Sequence, residues 1–335
     1  MFSLSSKTAM LSIFVFLLSI PYTVLSLTLL NLVRLPTPLS GPAYLAFDSN
    51  GEGPYTGSSD GRIFKHEGPR IGFTEFAFTP ANRSKSLCDF TTDQRLQSIC
   101  GRPMGLTFNQ RTGNLYIADA DNGLFFVGPN GGPATRLACS ADGVHFNFLA
   151  GLDIDQGTRN IYFTQASSNF KLRDLSSLVS SKDSSGSLFK YNPRTKKATT
   201  LLRGLSVAAG VAVSKDGSFV LVSEFLGKRI NRFWLRGPKA NTSETFLVVK
   251  GTPHSIRRNS RGEFWVAVNR ILGPPPPPTP PMLALGLRVN EQGQVLQEES
   301  FALAYGVEAV SEVQEFNFDL YTGSLHVPYA ASFRP

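Results

Sequence analysis

Leu115-Tyr116-Ile117-Ala118 followed by Asp119-Ala120-Asp121 is a short apolar run that stops in small and acidic residues, and the pattern returns along the chain. The other copies are Pro54-Tyr55-Thr56 before Ser59-Asp60-Gly61, Ile161-Tyr162-Phe163 before Gln165, and Val220-Leu221-Val222 before Glu224. Phe264-Trp265-Val266 before Asn269 and Leu320-Tyr321-Thr322 before Gly323 complete the series. Their central residues, Tyr55, Tyr116, Tyr162, Leu221, Trp265 and Tyr321, lie roughly 45 to 60 residues apart, the period at which one repeat builds one propeller blade. Strong β formers, frequent glycine and scattered Pro, Asn and Asp punctuation describe short strands joined by turns. The six copies predict an all-β chain folded as a six-bladed β-propeller.

A chain of 335 residues would ordinarily suggest two domains, but radial repeats let one closed β domain grow because each blade packs only on its neighbours. One domain, residues 27-335, is expected behind a leader. Residues 1-26 carry a single charge, Lys7, then the apolar run Ala9 to Ile20, Pro21 and the small-residue site Val24-Leu25-Ser26. That order describes a secretory signal peptide, and Pro21 interrupts the run too early for a membrane anchor.

Entry to the secretory pathway makes disulfides permissible. Cys88 and Cys100 sit close together in a polar loop between the first two repeats. A bridge across so short a loop contributes about 3 kcal/mol by restricting the unfolded chain. Cys139 is left over and reads as a buried free thiol, because no sign of a lowered thiol pKa surrounds it. Asn82-Arg83-Ser84 and Asn241-Thr242-Ser243 are glycosylation sequons. No retention tetrapeptide closes the sequence, so the expected destination is the vacuole or the extracellular space.

The formal charge of +8 could attract nucleic acid or anionic lipid, but the basic residues are dispersed. Arg194 with Lys196-Lys197, and Arg257-Arg258 with Arg261, are read as solvated turns between strands. Neither nucleic-acid nor, after signal cleavage, membrane binding is expected. Gly273 followed by Pro274 to Pro278, Thr279 and Pro280-Pro281 is a polyproline II insertion between two strands of one blade, since consecutive prolines fix φ and donate no ladder hydrogen bonds.

Several segments together resemble the strictosidine synthase family of plants. They are Gly53-Pro54-Tyr55-Thr56-Gly57, the loop Cys88 to Cys100 with Gly101-Arg102, Gly186-Ser187-Leu188-Phe189-Lys190-Tyr191, Ser218 to Phe225, Ile256-Arg257-Arg258-Asn259 and Gly262-Glu263-Phe264-Trp265-Val266. The likeness runs from about Gly41 to the end. It implies a six-bladed propeller, a Cys88–Cys100 disulfide, a monomer in a plant vacuole or apoplast, and a place in alkaloid biosynthesis. The implied reaction is of the carbon-nitrogen lyase class run in the condensing direction. It is a Pictet-Spengler condensation of an amine with an aldehyde, without cofactor.

That chemistry requires a carboxyl group in an apolar pocket, where desolvation raises its pKa toward neutrality so that it can give and take protons. The family's glutamate position falls on Ser311 in Ser311-Glu312-Val313-Gln314-Glu315. Serine has no useful acidity near neutral pH. Glu312 and Glu308 are the candidate substitutes, but in an extended segment Glu312 faces away from Ser311 unless a bulge shifts the register. By the same alignment Met104, Phe148, Val207 and Phe225 line an apolar ligand pocket, with Ala150 and Ala309 where the family has bulkier residues. The expected partner is a small apolar or amine-bearing metabolite.

Two other readings stand beside this one. A non-catalytic ligand-binding or interaction propeller needs no proton-handling group. A diverged small-ester or lactone hydrolase would hold a divalent cation in oxygen ligands from several blades. In the gluconolactonase-like pattern, however, those positions fall on Ala43, Gly151, Ala209 and His254-Ser255. No metal site is expected. His66, His145 and His326 are read as structural or exposed.

Overall fold

The computed structural model describes residues 27–273 and 281–335. The leader and the proline run 274–280 lie outside the described residues. Six blade sheets surround one axis: five are antiparallel and four-stranded, while blade I adds to its four antiparallel strands a fifth, Gly132–Pro133, that pairs parallel with Phe73–Phe78, and a two-stranded hairpin of Ser140–Ala141 with Val144–His145 stands apart. All six central residues of the repeat fall on the second strand of a blade: Tyr55–Gly57, Leu115–Asp119, Ile161–Ser167, Phe219–Glu224, Phe264–Ile271 and Asp319–Gly323. The repeat was legible because this strand is buried on both faces and therefore reads as a continuous apolar run.

The first strands stand innermost. They are Leu45–Ala46 in blade I, Pro103–Phe108 in blade II and Phe148–Ile154 in blade III. Ala208–Val213, Thr252–Arg258 and Glu312–Phe316 follow in blades IV, V and VI. The ring is closed by the N-terminal strand Thr28–Arg34, which pairs antiparallel with Tyr329–Arg334 as the outer strand of blade VI. In blade V, Phe264–Ile271 pairs with Met282–Val289 up to Ile271 opposite Met282, so the proline run connects two strands of one blade.

Around the axis the inner strands approach one another closely. A Cβ on Gly105 would lie 2.6 Å from the Ala150 carbonyl oxygen, and one on Gly151 would lie 2.5 Å from that of Ala209. Only glycine permits such an approach. The second strand of each blade supplies the adhesive. Thr164 Oγ1 accepts from Gly151 N at 2.8 Å and donates to Ala209 O at 2.8 Å in the next blade. Ser223 Oγ accepts from Gly210 N at 2.7 Å and donates to the His254 carbonyl. Asn269 exchanges two 2.8 Å bonds with the Val310 backbone.

Apolar clusters fill the wedges between neighbouring blades. Leu106 and Ile117 meet Ile63 between blades I and II, Leu221 and Ile230 meet Val266 between IV and V, and Trp265 meets Phe333 between V and VI. Cys88 and Cys100 form a disulfide in the loop that leads from blade I to blade II. Cys139 is unpaired and only half-buried, because it lies beyond the outer strand Thr135–Ala138 rather than inside a wedge.

One expectation is overturned at the axis itself. Arg257 does not lie in a solvated turn: it belongs to the innermost strand of blade V and is 8% exposed. Nε donates to Glu312 Oε1 at 2.5 Å, and Nη2 donates to the carbonyls of Leu45 at 3.1 Å and Leu106 at 3.0 Å. Nη1 reaches the Leu152 carbonyl at 3.4 Å. One planar guanidinium thereby ties blade V to blades VI, I, II and III. Burial opposes its charge, but Glu312 and Asp153 hold Arg257 firmly protonated.

Breaking a buried ion pair on one side strands the other charge. Arg257→Met is therefore expected to lose about 3 to 5 kcal/mol of stability, and the pair Arg257→Met/Glu312→Leu to recover most of it. Urea midpoints of the two proteins against the native chain measure this; equal midpoints for all three would remove the axial pair as a structural element.

Candidate functional site

The four residues expected to line a pocket come together. Met104, Phe148 and Val207 are buried and Phe225 half-buried in one cluster with Ala43, Tyr44, Ala150 and Leu325. They arrive there because Met104 and Phe148 open the inner strands of blades II and III, while Val207 and Phe225 lie just outside strands of blade IV at the same end. The cluster thus caps one end of the axis.

Val207 is held in an unusual conformation. Its φ of 59° lies in the left-handed region, costly for a β-branched side chain. The turn that imposes it is clamped: Ser206 N donates to Glu224 Oε2 at 2.7 Å, and Phe225 N donates to Val207 O at 2.9 Å. Glu224 is itself fully buried and accepts from Arg229 Nε at 2.6 Å. Val207 and Phe225 are positioned as a unit by this carboxylate.

Two contributors were missed by sequence reasoning. Tyr44 forms the floor: its ring lies 5.9 Å from the Arg257 guanidinium, and its hydroxyl donates to Ala209 O at 3.3 Å across the axis. Burial, with Glu312 nearby, raises the Tyr44 pKa well above its ordinary value and keeps the phenol neutral. The other is the segment Leu172–Asp174 and Leu175–Ser180, a short 3₁₀ turn and α-helix whose Leu172, Leu175 and Leu178 pack onto the cluster. Their spacing of three was a helical signal, overshadowed by the β periodicity around it.

Ser311 lies beside the cluster and is 1% exposed. Its Oγ accepts from Leu325 N at 3.0 Å, and its backbone is bonded to Gly323 and Ser255. Glu312–Phe316 pairs with Asp319–Gly323 without a register shift. With no bulge, Glu312 points away from the side of Ser311 and into the axis, beneath Tyr44, against Arg257. Burial pushes its carboxyl up against the opposing pull of Arg257. Glu308 remains exposed on the preceding loop. The structure brings Ser311 to the apolar cluster and neither of the two glutamates into it.

Polar groups edge the cluster. The half-buried His254 ring stands edge-on to Phe225 at 4.9 Å. Burial, aided by His326, lowers its pKa to about 3. His326 is also lowered by burial, with Glu308 opposing and Arg102 reinforcing the shift. Arg102 is buried, donates through Nη2 to Gly41 O at 3.1 Å, and has its pKa lowered by burial to about 10. Among the described residues no three His, Cys, Asp or Glu side chains converge as a metal set. Ala43, Gly151 and Ala209 stand around the axis without ligating side chains, and a guanidinium occupies it.

A family model described as strictosidine synthase matches residues 150–238. Across 302 residues the chain is 45% identical to strictosidine synthase-like 12 of Arabidopsis thaliana, covering 89% of this chain and 88% of the relative. It is 37% identical over 299 residues to the strictosidine synthase of Catharanthus roseus, covering 89% and 84%. Among solved structures, a gluconolactonase from Xanthomonas campestris superposes with a TM-score of 0.60 at 14% identity, over 92% of this chain and 89% of that one. At that identity the likeness is one of fold.

The histidines make stability pH-dependent. An unfolded histidine titrates near 6.5 and His254 in the folded chain near 3. Between these values the unfolded state binds a proton that the folded state refuses, so stability is full above about pH 6.5 and falls as pH drops toward 3. From pH 7 to pH 5 the loss through His254 is up to about 2 kcal/mol, and His326 acts in the same direction. Urea titrations of the native chain and His254→Phe at both pH values test this: the variant's dependence should be flatter, and parallel curves would exonerate His254.

Proposed function

Because the chain belongs to the strictosidine synthase family, we propose that it is a small-molecule-binding propeller that receives an apolar or amine-bearing metabolite at its axial cluster and does not perform the Pictet-Spengler condensation. The side chain at 311 carries this reading. Condensation requires a carboxyl group that shuttles protons inside the pocket. Here Ser311 accepts from the Leu325 amide, and the adjacent carboxylate is turned away and neutralised by Arg257.

What remains at the cluster is suited to holding a flat apolar body. Met104, Phe148, Val207 and Phe225 offer aromatic, thioether and branched surfaces, and small Ala150 leaves the span between them less filled than a tyrosine would. The neutral imidazole of His254 at its edge accepts or donates a hydrogen bond without repelling an ammonium group. No catalytic residue is assigned within this set.

The same reading places the mature chain, residues 27-335, in the secretory pathway with the vacuole or extracellular space as its destination. Asn82 and Asn241 are both exposed, as an acceptor of glycan must be. Protein recovered from plant tissue should shift in electrophoretic mobility on enzymatic removal of N-glycans. Asn82→Gln/Asn241→Gln should abolish the shift, and unchanged mobility of the native chain would refute the glycoprotein assignment.

Incubation with tryptamine and an iridoid aldehyde, followed by mass spectrometry, should yield no condensation product from the native chain and a trace from Ser311→Glu. Robust turnover by the native chain would overturn the proposal. Tryptamine alone should bind saturably by calorimetry, with Phe225→Ala weakening it about three- to tenfold through loss of one aromatic contact. Identical binding by that variant would place the ligand elsewhere.

A further inference from the structure

A buried carboxylate at the edge of the apolar cluster is left almost without partners. Asp121 follows the strand Leu115–Asp119, and its side chain is 1% exposed. Neither Oδ1 nor Oδ2 accepts a hydrogen bond, which is true of no other buried carboxylate among the described residues. Asp119, two positions earlier, accepts from Thr79 Oγ1 at 2.5 Å and from the amides of Arg102, Asp121 and Asn122. Asp60 accepts from Ser58 Oγ at 2.6 Å, Arg62 Nε at 2.8 Å and the Phe90 amide at 2.9 Å. Those two acids are saturated as buried charges must be, and Asp121 is not.

Asp121 adjoins the cluster through its neighbours. Ala120 belongs to the cluster, and its carbonyl accepts from Leu149 N at 3.1 Å. On the other side of Phe148, Asn147 Nδ2 donates to Phe170 O at 2.9 Å. The residues flanking Phe148 are thereby tied to the neighbours of Asp121 and of Lys171. Phe170 and Leu172 both pack on the cluster, so Lys171 leaves the chain between two residues that line it.

Lys171 supplies the charge that Asp121 faces. Its Nζ stands 3.3 Å from Asp121 Oδ2, in an ion pair that no hydrogen bond accompanies, and its side chain is 28% exposed. A carboxylate offers about four lone-pair sites, of which one lysine fills at most one. The lysine head sits on a flexible stem that can carry it to water, whereas Asp121 is fixed at the end of a strand. An ammonium on a short flexible arm, held among apolar side chains, is also the chemistry of an aryl-alkyl amine.

The geometry points to Asp121 as the residue that selects a protonated amine at the cluster: the ring of an aryl-alkyl amine lies on Met104, Phe148 and Phe225, and its ammonium replaces Lys171 on the Asp121 carboxylate. The assignment rests on the ligand-binding reading proposed above and narrows it, because an uncharged apolar molecule offers the buried carboxylate nothing. Asp121 binds and orients in this role, and no bond of the ligand is made or broken. Lys171 is the built-in competitor, occupying the carboxylate while the cluster is empty.

Calorimetric titration of the full secreted chain with tryptamine and with tryptophol, which carries a hydroxyl in place of the amine, tests the assignment. The native chain is expected to prefer tryptamine at least about tenfold. Asp121→Asn should abolish that preference while leaving tryptophol binding unchanged, which also certifies the variant as folded. Lys171→Met should strengthen tryptamine binding several-fold, since the competitor is gone. A bridge with only a structural role predicts instead that both variants lose melting temperature and weaken both ligands alike. Equal affinity of the native chain for the two ligands, an undiminished preference in Asp121→Asn, or weaker tryptamine binding by Lys171→Met would overturn the role of Asp121 and leave the cluster as an apolar site. Failure of the native chain to bind either ligand would overturn the ligand-binding reading together with it.

Discussion

A buried guanidinium on the propeller axis is the constraint around which the rest is arranged. Arg257 leaves blade V and donates to Glu312, Leu45, Leu106 and Leu152, so that five of six blades meet at one side chain. A propeller's inner strands all turn their edges toward the axis, where carbonyls and amides would otherwise face one another unsatisfied. A fork of five fixed donors resolves that problem in one stroke. The charge it introduces demands a counter-charge, and Glu312 is held to that duty.

The consequence reaches the candidate site. Ser311 and Glu312 are neighbours on an extended strand, so their side chains part to opposite sides. Glu312, committed to Arg257, lies below the Tyr44 floor, while Ser311 lies beside the apolar cluster above it. A carboxylate one residue from the family's catalytic position is thereby separated from the pocket by a tyrosine ring and an ion pair. Strand alternation and axial charge pairing, rather than distance along the chain, decide which side chain faces a ligand.

The cluster is built on rigid parts. Met104 and Phe148 begin inner strands, and Val207 and Phe225 are clamped through the buried carboxylate of Glu224. Sites on such elements hold their shape better than sites on free loops.

Much of the architecture was written in local pattern. The second strand of each blade is sandwiched between neighbours, so Tyr55, Tyr116, Tyr162, Leu221, Trp265 and Tyr321 sit in apolar runs at regular intervals, and counting them yields the blade number without any long-range information. The co-location of Met104, Phe148, Val207 and Phe225 followed from family resemblance, not from spacing. The burial of Arg257 was illegible: Arg257-Arg258 followed by Arg261 reads as a basic turn, and only closure of the ring brings carbonyls from three other blades and Glu312 around one of those three arginines. Tyr44 was hidden for the same reason, since its hydroxyl's partner lies across the axis, whereas the Leu172–Leu178 segment carried a helical spacing that the surrounding β periodicity overshadowed. The sequence by itself determined the repeat number and the presence of serine at 311, both properties of residues within reach of their neighbours along the chain. Tertiary structure alone decided which charges are buried and which face a ligand, because desolvation and pairing depend on blades brought together from opposite ends of the polypeptide.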